Sequence, residues 1–196
     1  KETEVAAAWW KERLDDLPGA PGLPLKANPE EIIRPKYRRR NFCLGPSIWK
    51  QVKNIAAEHE VTPAMVLLSV YAEVLGRWSS TPRFFINLPL FNRDTGVTEV
   101  ENVVADFTSL LLLPVDMSRK AAFAERVRAI RSLFLEYTAH SAYSGVKVQR
   151  DLARLRTDER FIAPVVFACN LGTPLVNEQC ASELGELGWM ISQTPQ

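Results

Sequence analysis

Long apolar runs, glycine-rich loops and clusters of metal-ligating residues are all missing from this chain. No stretch approaches the roughly eighteen apolar residues that a membrane helix requires, and none has the pattern of a cleavable leader, so neither a membrane span nor export is expected. Cysteine is scarce: Cys43, Cys169 and Cys180 are an odd set of three without CxxC spacing. That usage points to a reducing, cytoplasmic setting rather than a disulfide framework. His59 and His140 form no ligand pattern with the cysteines, so no metal site is expected. An excess of one charge is lacking too, with 24 Lys and Arg against 23 Asp and Glu. There is no global electrostatic pull toward nucleic acid or an anionic membrane, and neither is expected as a partner. The GxSxG elbow, the HExxH helix and the phosphate-binding loop are absent, and with them the signatures of several common hydrolase, metalloprotease and nucleotide-binding chemistries.

What remains is a chain of 196 residues with 46% apolar content, enough to bury one sizeable core in a single domain or one large lobe. TEVAAAWWKERLDDL opens it with helical character over residues 1–17. Pro18, Pro21, Pro24, Pro29 and Pro35 then forbid regular helix and predict an extended linker over 18–36, leaving 37–196 as the core. Arg34, Lys36, Arg38, Arg39 and Arg40 lead into a predicted short strand ending near Leu44. This cluster is either a solvated basic edge that discourages strand pairing or a contact for a phosphate or an acidic partner. Ser47 is placed to cap a helix to about Glu60, with Ile48, Val52, Ile55 and Ala56 on one face. Thr62 and Pro63 open a second helix, AMVLLSVYAEVLGRW, apolar on nearly all sides and so expected to be heavily buried over 62–78.

RFFINLPLFN and FTSLLLLPV read as strands, with a polar loop from Arg93 to about Asn102 between them. Ser118 is read as the cap of an amphipathic helix, in which Phe123, Val127, Ile130, Phe134 and Tyr137 follow at spacings of four, three, four and three. SGVKVQRDLARL predicts another helix, APVVFACNL a strand, and GWMIS a last one. Strands separated by helices predict an α/β fold with its sheet covered on at least one face.

Polar residues fall at the edges of these strands: Asn87, Asn92, Asp106 with Thr108 and Ser109, Asn170, and Gln193 with Thr194. Asn92 and Asn170 also suit turns. Asp106 opens an aliphatic strand, where an unpaired buried carboxylate would cost several kcal/mol. It is therefore expected to hold backbone amides or an arginine, a structural role, although an acid or base role stays open.

NLPLFNR, VVADFTSLLLL, SGVKV, APVVFACNLG and SQTPQ occur in one order along the chain. Together they resemble the heterocyclization domains of nonribosomal peptide synthetases, a branch of the condensation-domain family with a chloramphenicol-acetyltransferase-like fold. DFTSL and SQTPQ are the specific elements, since ordinary condensation domains usually lack both. The resemblance implies that residues 1–196 form the C-terminal lobe of such a domain, a mixed β-sheet covered by helices, with 1–17 as the crossover helix. An N-terminal lobe carrying a DxxxxD motif would lie outside this sequence, and one lobe alone would have no turnover.

The resemblance also implies a reaction. A carrier-bound acyl or peptidyl thioester is attacked by the amine of a carrier-bound Cys, Ser or Thr, and the product is cyclodehydrated to a thiazoline or oxazoline, as in siderophore assembly. Upstream and downstream peptidyl or aryl carrier proteins and neighbouring synthetase domains are the implied partners. Substrates would ride on 4′-phosphopantetheine arms, with no cofactor bound directly. Asn87 matches the family's tunnel asparagine, and Gln193 the glutamine of its closing motif. Ala168 stands where the family usually has threonine, and the cyclodehydration aspartate would lie beyond Gln196. Without the hydroxyl, ring closure is weakened; Cys169 would face the other side of a regular strand and is a poor substitute. Asp106, Thr108, Ser109, Asn92 and Asn170 are implied as structural or tunnel-lining. Ala105 replaces the usual glycine, which requires an ordinary backbone angle there. A condensing domain that no longer cyclizes, and a docking scaffold for carrier proteins, remain as alternatives.

Overall fold

A computed structural model describes residues 2–34, 36–91, 107–157 and 162–171. The elements in chain order are α1 (Glu2–Lys11), α2 (Pro46–Glu58), α3 (Pro63–Trp78), β1 (Arg83–Phe91), β2 (Thr108–Asp116), α4 (Phe123–Thr138) and α5 (Gly145–Leu155), with 3-10 turns at Leu14–Asp16 and Pro29–Glu31. This is the α/β arrangement that the sequence predicts.

β1 and β2 pair antiparallel, with Arg83 opposite Asp116 and Phe91 opposite Thr108. Phe84, Phe85 and Ile86 on one strand, and Leu111, Leu112 and Leu113 on the other, are all fully buried. Successive strand side chains point to opposite faces, so both faces of this pair are covered. Trp10, Leu68, Ala72, Ile130, Val148 and Leu152, from four helices, join these strand residues in one core. A smaller cluster of Ala56, Val66 and Val127 fills the meeting point of α2, α3 and α4.

The outer edge of β1 is occupied as well. Phe85 N–H donates to Gly19 O at 2.9 Å, Asn87 N–H to Val165 O at 2.9 Å, and Asn87 O accepts from Phe167 N–H at 2.9 Å. The odd-numbered amides of β1 therefore face away from β2. Pro89 and Pro114 both fall in pairs of that class, opposite Leu110 and Phe85 respectively, so neither proline removes a ladder bond. The Asn87–Val166 bridge is parallel, which gives the sheet its mixed character.

α1 is fastened to the lobe by aromatic contacts. The Trp10 indole N–H donates to His140 O at 3.2 Å, Trp9 stacks on the His140 ring at 4.0 Å, and the Arg13 guanidinium lies 3.9 Å over Trp9. From the end of α5, Arg156 donates to the carbonyls of Leu17 and Pro18. Arg83 grips Asp16 at 3.0 Å, and this hydrogen bond and charge hold the exposed Asp16 carboxyl below its usual range. Among its described residues, the proline-rich stretch that follows has one 3-10 turn and no α-helix. Gly22 N–H donates to Ser79 Oγ at 3.0 Å, so the stretch begins against the α3–β1 connection.

Several local expectations are corrected. The opening helix ends at Lys11 and gives way to a 3-10 turn rather than running through residue 17. Pro46 takes the first turn of α2, which moves its cap from Ser47 to Gly45. Ser118 is not the cap of α4; its amide donates to Asp116 Oδ1 at 2.8 Å, and the helix starts at Phe123. α3 keeps its predicted start, the Thr62 side chain accepting from Met65 N–H, but it is not buried all round. Val70, Val74 and Trp78 are exposed at a spacing of four, and the core takes only the Val66–Leu68–Ser69–Ala72 side. Among the described residues no strand precedes Leu44. APVVFACNL contributes a single bridge rather than a strand. The 93–102 loop and the GWMIS strand lie outside the described residues, as does Ala105.

Gly145 lets α5 approach β2. A Cβ there would lie 2.8 Å from Leu110 O and 3.0 Å from its carbonyl carbon, both fixed in a strand. We expect Gly145→Ala to cost about 1 to 3 kcal/mol, as overpacking does. Gly22→Ala should cost far less, because its methyl meets chiefly the Ser80 hydroxyl, which can rotate away. Urea midpoints of the two variants in one background compare them directly; equal midpoints would contradict the close approach.

Candidate functional site

β1 carries the side chain that stands out. Asn87 is 7% exposed, opposite the fully buried Leu112, and its buried Oδ1 has no hydrogen-bond partner among the described residues. Its backbone is held on the outer edge of β1 by Val165 and Phe167. The sequence favours this geometry because FFINLPLF is apolar on both faces, so any polar residue placed mid-strand is desolvated. An acceptor left dry in this way carries a penalty of about 1 to 3 kcal/mol.

The bridge brings the 165–171 segment beside Asn87. Phe167 follows the bridging Val166 and donates its amide to Asn87 O, and its ring is 5.5 Å from that of Tyr71 on α3. The Tyr71 hydroxyl donates to Val166 O at 3.3 Å, and burial pushes its pKa above the ordinary tyrosine value. Tyr71 was not among the sequence candidates; a hydroxyl-bearing aromatic inside an otherwise apolar helix, which needs a polar partner, is the signal that could have found it. Ala168 follows, exposed and without a hydroxyl, and Asn170 is exposed near the end of the segment. Cys169 is half-buried. Burial pushes its thiol pKa up, which keeps it protonated and a weak nucleophile at neutral pH.

Thr108 and Ser109 begin β2, opposite Phe91 and Leu90. That register puts Ser109 about 10 Å along the sheet from Asn87, so they are neighbours of the site rather than partners of its carboxamide. Asp106, Asn92 and Gln193 lie outside the described residues.

Two open cavities lie elsewhere. One of about 460 Å³ is lined by Met117, Arg119 and Arg126 among others, and one of about 380 Å³ by Arg13, Asp16, Arg83 and Tyr137 among others. Both adjoin the Pro114–Asp116 end of β2, and neither includes Asn87 or Ala168. Asn87, the 165–167 segment that it bonds and Tyr71 together form one wall. Among the described residues no group of three His, Cys, Asp or Glu could hold a metal ion, and no helix is long and apolar enough to cross a membrane. The wall offers hydrogen-bond acceptance and fixed positioning, the means by which an enzyme holds two reactants together.

Comparison with known proteins gives a consistent family. The condensation-domain family model matches residues 1–194. Phenyloxazoline synthase MbtB of Mycobacterium tuberculosis is 40% identical over 96% of this chain, which spans 13% of that protein. Pyochelin synthetase PchE of Pseudomonas aeruginosa is 40% identical over 97% of the chain, again 13% of the relative. Among solved structures, the EpoB cyclization-docking bidomain from Sorangium cellulosum superposes with a TM-score of 0.81 at 32% identity, covering 94% of this chain and 38% of that one. The first condensation domain of the calcium-dependent antibiotic synthetase, at 18% identity and a TM-score of 0.69, shares the fold. With its mixed strand directions, its helices on the sheet and a family match over nearly its whole length, the chain belongs to the condensation-domain family of nonribosomal peptide synthetases.

Proposed function

We propose that this chain is one lobe of a heterocyclization domain, which joins a carrier-bound acyl or peptidyl thioester to a carrier-bound Cys, Ser or Thr and closes the product to a thiazoline or oxazoline. The observation that carries the reading is the buried oxygen of Asn87, unpartnered among the described residues. A carrier-borne amine supplies the missing donor. The 40% identity to a phenyloxazoline synthase and the likeness to a cyclization-docking bidomain support the same class of chemistry.

In the first stage the amine nitrogen attacks the thioester carbon. The C–N bond forms, the C–S bond breaks, and the upstream carrier's thiol leaves with the proton that the amine loses. Asn87 Oδ1 accepts an N–H of the attacking amine and orients it; a carboxamide at neutral pH holds the proton without removing it. In the second stage the side-chain sulfur or oxygen adds to the new amide carbon. The amide oxygen, having taken the proton that the thiol or hydroxyl loses, then departs as water with the amide N–H proton as its second hydrogen, leaving a C=N bond.

Gln193 completes the wall in this reading, while Asp106, with Thr108 and Ser109, anchors the entry to β2, and Asn92 and Asn170 line its approaches. Upstream and downstream carrier proteins deliver the substrates on phosphopantetheine arms. The other lobe supplies the opposite wall.

Replacing an orphaned buried acceptor with an apolar side chain of similar size removes a desolvation penalty. Asn87→Leu in the intact synthetase should therefore hold or raise the thermal midpoint while amide formation falls about ten- to a hundredfold. Single-turnover transfer between loaded carriers, paired with calorimetry, measures both. Unchanged transfer, or a loss of several kcal/mol of stability, would make Asn87 a structural residue.

Ala168 supports a second reading, a domain that condenses more readily than it cyclizes. The residue is exposed and has no hydroxyl to aid dehydration, and the neighbouring Cys169 thiol stays protonated. The wild-type domain should accumulate uncyclized amide, and Ala168→Thr should speed ring closure by about ten- to a hundredfold, the value of one added hydrogen bond in the transition state. Loss of water from the carrier-bound product, read by mass, is the assay. Complete cyclization by the wild-type domain acting alone would contradict this second reading.

A further inference from the structure

Residues 36–44, KYRRRNFCL, are exposed along their whole length. Among the described residues they make no backbone-to-backbone hydrogen bond. Tyr37 is 74% exposed and Phe42 85%, a poor arrangement for side chains that gain from burial. Lys36, Arg38, Arg39 and Arg40 form no ion pair among the described residues. Yet the segment is fixed at its far end, because Gly45 caps α2. It is an extended, basic, partly aromatic arm held out from the lobe.

The sequence pattern here is that of a strand, and the structure supplies it with no neighbour. A strand's unpaired N–H and C=O groups are a template for adding to another sheet edge. The length also fits, since β1 and β2 each have nine residues, as does the segment from Lys36 to Leu44. In extended backbone, Lys36, Arg38 and Arg40 share one face, and Tyr37, Arg39 and Asn41 the other. Cationic side chains on both faces call for carboxylates on the strand that receives them. Most of a similar solved chain lies outside this lobe: 94% of this chain superposes on only 38% of the cyclization-docking bidomain.

We propose that residues 36–44 form a strand that adds to an exposed sheet edge in the other lobe of the same polypeptide, an edge flanked by acidic side chains. The pairing ties the two lobes in one orientation and buries Tyr37 and Phe42. This rests on the two-lobe reading given above and names where the lobes join.

Hydrogen–deuterium exchange on the intact synthetase tests it, with peptides covering 36–44 followed beside those of β1. The expected result is exchange at 36–44 slowed at least about a hundredfold relative to unstructured chain, independent of dilution and of added carrier protein. Fast exchange there would overturn the proposal. So would protection that appears only with added carrier protein, or only at concentrations where the synthetase self-associates, because the occupant would then be a different one. Amide formation by the same sample separates this inference from the function on which it rests. Turnover with a fast-exchanging 36–44 removes the strand and leaves the function; a protected 36–44 without amide product removes the function and leaves the strand.

Discussion

Strand β1 is the constraint on which the rest of this lobe depends, because both of its edges and both of its faces are taken. β2 fills one edge, Gly19 and the 165–167 segment fill the other, and apolar side chains cover Phe84, Phe85 and Ile86 completely. A strand held on four sides cannot slip by one residue without moving its apolar set into the wrong layer. Asn87 therefore has a fixed place and a fixed outlook. The lobe places a dry carboxamide oxygen on a strand held at both edges and both faces, and fixed placement is what the proposed positioning role requires, since small misplacements are costly when two reactants must meet.

The surrounding contacts keep β1 in that state. The turn after α1 is bound to the start of β1 through Arg83 and Asp16, and Arg156 fastens the same turn to the end of α5. Tyr71 reaches from α3 to the carbonyl of Val166 and steadies the segment that bridges Asn87. The N-terminal segment and the third segment of the sheet thus converge on one strand, although they are far apart in sequence.

Much of this was legible in the sequence for a physical reason. Thr62–Pro63, with a hydroxyl to accept an amide and a ring that needs none, announces a helix start, and the structure has one there. Short, nearly continuous apolar runs announced both strands. What failed had competing signals nearby. Pro46 outranked Ser47 because proline fits the first turn of a helix, and Ser118 spent its amide on Asp116 instead of capping α4. α3 was misjudged because apolar composition does not say how many faces find a neighbour: Val70, Val74 and Trp78 do not. APVVFACNL looked like a strand, and only Val166 bridges. The burial of Asn87 without a donor could not be read from its neighbours in the chain, since it depends on β2 and on residues near position 166.

The central claim is that the Asn87 oxygen waits for a donor carried by substrate. A structure of the intact domain with a non-hydrolysable substrate analogue tethered to its carrier arm tests that claim most directly. The account predicts an N–H of the analogue within about 3 Å of Asn87 Oδ1. A protein side chain already bonded to that oxygen, with the analogue bound elsewhere, would contradict it.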